Sequence, residues 1–331
     1  MLTSDLHLTA SASTEYRWGL FPWLATQIRE ERAKTLLILG DLTDAKDGHS
    51  AVLVNRVVNE IAKLAELCRV VILCGNHDFL QRGHMFFEFL RAIPNVDVIT
   101  EPQEDMGIDP TLAYYLPYSK EPAKDWAHLR DFSMYRYLFM HQTIKGARAS
   151  NGQIMEGEAL PDILGTAAKV YSGDIHVPQV IWPIEYVGSP YHVHFGDKFK
   201  PRVIVLEKSG LAVDLHFKTI SRLALKVSSV RELEGLRLNA GDQVKLSIHL
   251  DATDRHDWAR IRREAMAVLS DQGIDMHGIE LVTDAVTKRT MTAKRSEHRD
   301  APADVLLRYA QSEGFSGDTL DAGLELIERN K

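Results

Sequence analysis

The sequence predicts a layered α/β protein followed by a second, smaller α/β unit. Three observations carry this expectation. Over the first two-thirds of the chain, short apolar runs alternate with longer stretches of helical period. Several of those runs end in glycine and then a polar cluster. Near residue 201 the pattern changes to closely spaced strands with weak turns between them.

In chain order, residues 35–39 form a continuous apolar run ending in Gly40, as a strand buried on both faces does. Residues 51–68 have helical periodicity, with Val54, Val57, Val58, Ile61, Leu64 and Ala65 on one face. Residues 69–74 are a second buried strand, ending in Gly75. A helical stretch is expected over 83–91, then strands over 96–99, 137–140 and 169–172. Beyond residue 201, strands are expected over 203–206, 213–217, 223–227, 244–250 and 279–282, with an amphipathic helix over 258–269. Residues 287–300 are polar and basic and read as a linker, followed by two helices over 303–313 and 318–329. The expected domains are therefore 1–200, 201–286 and 287–331.

A chain of 331 residues is too long for one small core. Its 45% hydrophobic and 26% charged residues are ordinary for a soluble globular protein. No apolar run is long enough to span a membrane, and no signal-peptide pattern opens the chain. The two cysteines, Cys68 and Cys74, lie in apolar contexts and suit a reducing, cytoplasmic compartment. A net charge of −7 excludes a protein that grips DNA with its whole surface, so nucleic-acid contact needs local patches or a partner.

The strand ends deliver polar residues in a fixed succession: Asp5-Leu6-His7, Gly40-Asp41, Gly75-Asn76-His77-Asp78, His141 and Gly173-Asp174-Ile175-His176. In open α/β sheets, ligands gather at the carboxyl ends of strands. Carboxylate, imidazole and amide oxygen together suit Mn²⁺, Fe²⁺ or Zn²⁺ over Ca²⁺. In an extended strand end, residues i and i+2 point the same way, so Asp5 and His7 are expected to reach one ion, and Asp174 and His176 to approach the site together. The glycines before Asp41, Asn76 and Asp174 are expected to allow sharp turns. A lone Asp or His at a strand end is ordinarily a cap; the ordered set is what points to a metal site.

This set, quoted as DLH, GDLTD, GNHD, FMHQT and SGDIH, resembles the calcineurin-like metallophosphoesterase superfamily over residues 1–200. The resemblance implies a four-layer αββα sandwich. It implies a first metal held by Asp5, His7, Asp41 and His176, and a second held by Asp41, Asn76, His141 and Asp174, with Asp41 shared. His77 would be the general acid, and Asp78 would orient it. One departure is Asp174, where the superfamily usually has histidine. An aspartate there either ligates the second ion or weakens its site; ligation is the expectation, with Mn²⁺ favoured and Mg²⁺, Fe²⁺ or Zn²⁺ as alternatives. A second departure is the short stretch before Asp5, which implies a trimmed first strand or a start upstream of Met1.

Within the superfamily, Ile175-His176-Val177-Pro178-Gln179, Tyr186-Val187-Gly188-Ser189-Pro190 and Phe195-Gly196 resemble the SbcD-type DNA repair nucleases. That resemblance implies exonuclease and endonuclease activity on DNA, a capping domain, homodimerisation, and terminal helices that bind an SMC-like coiled-coil ATPase. Lys198, Lys200, Arg202, Arg260 and Arg263 are candidate phosphate contacts, with a solvated surface as the plainer reading. Tyr16, Trp18, Phe21 and Trp23 are expected to pack a helix onto the sheet, and His192 and His194 to lie on a strand. The competing functions are a small-molecule phosphodiesterase or phosphatase of the same fold without a partner, and a non-catalytic scaffold. The presence of Asp41 and His77 weighs against the last.

Overall fold

A computed structural model of the chain describes residues 1–105, 107, 113–129, 131–157, 162–167, 169–250 and 256–283. Two six-stranded sheets face each other. The first runs, in spatial order, Ala212–Leu215, Val203–Leu206, Leu2–Thr3, Thr35–Ile38, Arg69–Leu73 and Val96–Ile99. The second runs Gln179–Ile181, Ile184–Tyr186, Lys169–Gly173, Tyr137–His141, Ala113–Leu116 and Gln103–Asp105. The neighbouring strands from Leu2–Thr3 to Val96–Ile99 are parallel, as are those from Ile184–Tyr186 to Ala113–Leu116; antiparallel strands close the other edges.

The apolar runs are continuous because both faces of each sheet are covered. In the first sheet, Leu37, Leu39, Val71 and Leu73 meet Tyr115, Tyr137, Phe139 and Tyr171 of the second. Their neighbours Leu36, Ile38, Val70 and Ile72 face the other way, onto two helices. Helix Leu20–Glu30 buries Leu20, Phe21, Leu24 and Ile28 there. Helix Ala51–Ala65 buries Leu53, Val57, Ile61, Leu64 and Ala65, and its first turn is capped by Ser50, whose Oγ accepts from Leu53 N. Trp18 is buried in the same layer, with Tyr16 and Trp23 packed against it, as the aromatic density of that segment predicts. The outer layer on the second sheet contains short helical turns, Pro122–Asp125 and Asp162–Thr166, over Leu138, Met140 and Val170.

Three expectations are corrected. Residues 83–91 do not form one α-helix: a small hairpin, Phe79–Gln81 with His84–Met85, precedes a 3₁₀ segment, Phe86–Ala92. The boundary at 200/201 is too early. Val203–Leu206 pairs with the two-residue strand Leu2–Thr3, and Val203, Val205 and Ile204 enter the cores on alternate faces of the first sheet. The smaller sheet starts at Arg222 and consists of Arg222–Val227, Gln243–Leu250 and Asp275–Thr283, all parallel. Helix Trp258–Asp271 covers it, burying Ala265 and Leu269 against Val244, Leu246 and Ile248. Finally, His192 and His194 lie outside any strand.

The small sheet is tied to the sandwich by Gly196 N donating to Arg222 O (2.9 Å) and by Gln243 Nε2 donating to Ser13 O (2.7 Å). The linker at 287–300 and the helices at 303–313 and 318–329 lie outside the described residues. Among the described residues, no helix is long and apolar enough to cross a membrane.

Candidate metal centre

Parallel strands bring the polar clusters to one rim of the sandwich. Four residues there hold left-handed backbone: Asp5 (φ 57°), His7 (43°), Asp41 (55°) and Asp174 (78°). Such a conformation is uncommon outside glycine and persists only where surrounding structure imposes it. Ser189 Oγ donates to Asp5 O, Tyr191 Oη to Leu6 O and the buried Arg17 guanidinium to His7 O. The Gly188-Ser189-Pro190 turn is thus a buckle on the first motif. The strand-alternation argument for Asp5 and His7 is therefore corrected: both reach one cluster, but from a left-handed turn. Asp174 and His176 differ: Asp174 alone is left-handed, and the two side chains go to different groups, Asp174 to His141 and His176 to His7.

The glycine argument divides as well. Gly40 has φ 91° and needs its freedom. At Gly75 the constraint is space, since a Cβ there would collide with the Asp41 carboxylate and the His141 ring.

Asp5, His7 and His176 bring ligand atoms within 4.8 Å of one another, as do Asp5, Asp41 and His141. His7 Nε2 lies 3.0 Å from His176 Nε2 and 3.5 Å from Asp41 Oδ2. On the other side, His141 Nε2 lies 3.4 Å from Asp41 Oδ1, 3.1 Å from Asn76 Oδ1 and 3.7 Å from Asp174 Oδ1. The two oxygens of Asp41 thus face two sides, one toward His7 and one toward His141, and Asp5 borders both. His141 Nδ1 donates to Leu39 O at 2.6 Å, which leaves its Nε2 as the ligating atom. Asp174 Oδ2 accepts from the Thr143 hydroxyl, and Asp174 N donates to Asp5 Oδ1 at 3.1 Å.

The chemistry of this donor set fits divalent cations. Burial pushes the Asp5 carboxyl up to about 8 and holds the Asp41 carboxyl well above the usual carboxylate range. Burial likewise pushes His7 down to about 4 and His176 well below the ordinary imidazole range, so both rings are neutral and ready to ligate. Asp5 Oδ2 is buried without a hydrogen-bond partner. Carboxylates this crowded are not held ionised by the protein alone; a cation bound by Asp5, Asp41, His7, His141 and His176 would supply the missing charge.

His77 stands beside this centre, its ring centroid 4.7 Å from that of His7, and it joins His7 and Asp41 in a third group of close ligand atoms. Asp78 does not orient it. The Asp78 carboxylate accepts from Asp41 N (2.7 Å), Gly75 N (2.9 Å) and Leu42 N (3.1 Å), clamping two strand-end loops together. His77 is held instead by Asp44, whose carbonyl oxygen lies 2.5 Å from His77 Nδ1, and by its own N–H donating to Asp41 Oδ1 at 2.9 Å. Asp44 also places Oδ1 3.4 Å from His7 Nδ1. Asp44 and Thr143 lie inside the quoted GDLTD and FMHQT strings. Position in those motifs was the available signal for both.

The candidate phosphate contacts separate. Lys198 and Lys200 are exposed. Arg202 is committed to the protein itself: it pairs with Asp214 and Glu185 and donates to Tyr186 O and Val187 O. Arg260 pairs with Asp257 and Glu264 on its own helix, and Arg263 donates to Ala259 O. His194 is exposed, and its ring stacks on His176 with centroids 5.1 Å apart.

A family model described as calcineurin-like phosphoesterase matches residues 1–197, the span that holds every candidate ligand. The chain belongs to the calcineurin-like phosphoesterase family. Phosphoesterases of this family bind divalent metals, and the Asp and His clusters above are where this member would hold them. No curated protein sequence matches the chain. Among solved structures, this calcineurin-like phosphoesterase is similar to YfcE, a phosphoesterase from E. coli, at 15% identity and a TM-score of 0.30, over 67% of this chain and 98% of that one.

Proposed function

We propose that the chain is a two-metal phosphodiesterase that cleaves DNA, an SbcD-type nuclease subunit working in the cytoplasm with an SMC-like ATPase. The observation that carries the hydrolytic part is the shared carboxylate: Asp41 turns one oxygen to His7 and the other to His141. When bound, divalent ions lower the pKa of a water and neutralise charge on the phosphoryl oxygens. Asp41 fixes the spacing of the two sites. His7 and His176 stay neutral through burial, and the Leu39 carbonyl fixes the tautomer of His141. Asp44 O accepts from His77 Nδ1–H, so the proton given to the leaving oxygen is the one that the imidazolium form of His77 carries on Nε2. The tie from His77 N to Asp41 Oδ1 keeps that acid in register with the shared carboxylate.

The DNA part rests on the motif succession through Gly188-Ser189-Pro190 and Phe195-Gly196, and on the small parallel sheet beyond it. Mn²⁺ is the proposed metal, because Asp174 replaces a nitrogen ligand with an oxygen one. Residues 301–331 are the proposed ATPase-binding segment, and a homodimer the proposed assembly. Purified protein is incubated with linear duplex DNA, single-stranded DNA and bis-p-nitrophenyl phosphate, each with Mn²⁺ or Mg²⁺. Cleavage of DNA supports the nuclease. Cleavage of the small ester alone supports the second reading, a small-molecule phosphodiesterase, which the net charge of −7 favours. Deleting residues 301–331 is expected to leave nuclease activity and abolish ATPase association.

A further inference from the structure

Strand Ala113–Leu116 runs parallel to Tyr137–His141, so the loop that follows it leaves at the same rim as His141. In that loop, Tyr118 N donates to Cys74 O, which docks the loop against the residue just before Gly75-Asn76-His77. The Tyr118 ring stands edge-to-face with the His141 ring, centroids 6.5 Å apart. It also meets the Phe79 ring edge-to-face at 5.5 Å. The Lys120 ammonium lies 5.2 Å from the centroid of Phe79. Phe79 and Tyr118 are half-buried and Lys120 is exposed, whereas Tyr115, three residues before Tyr118, is completely covered.

We propose that Phe79, Tyr118 and Lys120 form a nucleotide subsite flanking the Asn76–His141 side of the centre, where a base of the substrate stacks on the aromatic pair and a neighbouring phosphate meets the ammonium. This rests on the phosphodiesterase reading and narrows its substrate to nucleotide diesters. Two aromatic rings set edge-to-face, with a cation over one of them, offer stacking and charge together, the combination that binds single-stranded nucleic acid without choosing a sequence, because every base has a π-face. Both rings are half-open to solvent beside the candidate ligands, so part of their apolar surface is within reach of a planar ligand.

The test compares two end-labelled single-stranded oligonucleotides of equal length, one with mixed bases and one with every base removed, by fluorescence anisotropy of the full chain with Ca²⁺ present. Wild-type protein is expected to bind the base-bearing strand about 10-fold more tightly or better. Phe79→Leu and Tyr118→Leu are expected to remove most of that preference, and Phe79→Trp to keep it. Lys120→Gln is expected to weaken both strands alike, with a shallower salt dependence. Equal binding of the two strands by wild type overturns the subsite, as does a Phe79→Leu variant with its preference intact; thermal unfolding of each variant checks that the chain is folded. Hydrolysis of both strands at one rate with Mn²⁺, and no base preference in binding, removes the subsite and leaves the phosphodiesterase standing. Base-dependent binding with neither strand hydrolysed does the reverse.

Discussion

Asp78 is the residue whose substitution best separates two accounts of this site. If it clamps the loops, Asp78→Asn is a stability defect first. The carboxylate accepts from three backbone N–H groups, at 2.7, 2.9 and 3.1 Å. Asparagine offers one acceptor oxygen, and its amide group turns donors toward donors. One or two of the three N–H groups then lose their partner in a buried place, each costing about 1–3 kcal/mol. Asp78 itself bears a desolvation penalty, visible as a carboxyl raised by burial, and relief of that penalty offsets part of the loss. The net expectation is a loss of about 2–4 kcal/mol, or about 4–8 °C in Tm for a unit of this size. Urea denaturation and calorimetry of metal-free protein measure it, alongside kcat on bis-p-nitrophenyl phosphate. An Asp78→Asn variant as stable as wild type, with the same loss of kcat as His77→Ala, would refute the clamp and restore an orienting role.

Other expectations follow from the same geometry. His77→Ala lowers kcat by about 10²–10⁴ while calorimetric Mn²⁺ affinity changes little; unchanged turnover sinks its role as the acid. In metal-free protein, Asp5 has a folded pKa of about 8 against an ordinary 3.8, so between those values the folded chain holds a proton that the unfolded chain has released. Its contribution to stability therefore declines as pH rises from about 4 to about 8, and added Mn²⁺ restores stability most at the upper end. Denaturation in EDTA across that window checks this; Asp5→Asn makes the decline shallower, the raised carboxyls of Asp41 and Asp78 still contributing to it, and parallel curves for the two proteins count against it. Arg69→Met breaks pairs with Asp97 of the first sheet and with the buried Asp105 of the second, and costs about 2–4 kcal/mol. Arg69 begins its strand, far from the ligands at the strand's other end, so kcat below the melting range stays near wild type; a matching fall in kcat would show the sheets' alignment to be part of the site.

Two kinds of information are separable here. The ligand inventory was legible in the sequence because each ligand lies at or just after a strand end, and around Asp41 and Asn76 the strand is an unbroken apolar run, since the second sheet and two helices bury both faces of the first sheet. Residues 51–65 announced their helix by period, and Gly40 announced the turn before Asp41. What the sequence could not show is which groups meet across long separations. Asp44 rather than Asp78 holds His77, because a carbonyl oxygen became the partner, and a backbone atom leaves no trace in residue identity. Val203–Leu206 joins the first sheet because the two-residue strand Leu2–Thr3 leaves an edge to fill, and its apolar pattern would have suited either sheet. Arg202 reads as a phosphate contact in a basic run, yet Asp214 and Glu185 had already taken its charge. Residue types and their spacing determined the chemistry; tertiary structure decided the partners, because hydrogen bonds and ion pairs depend on distance in space and not along the chain.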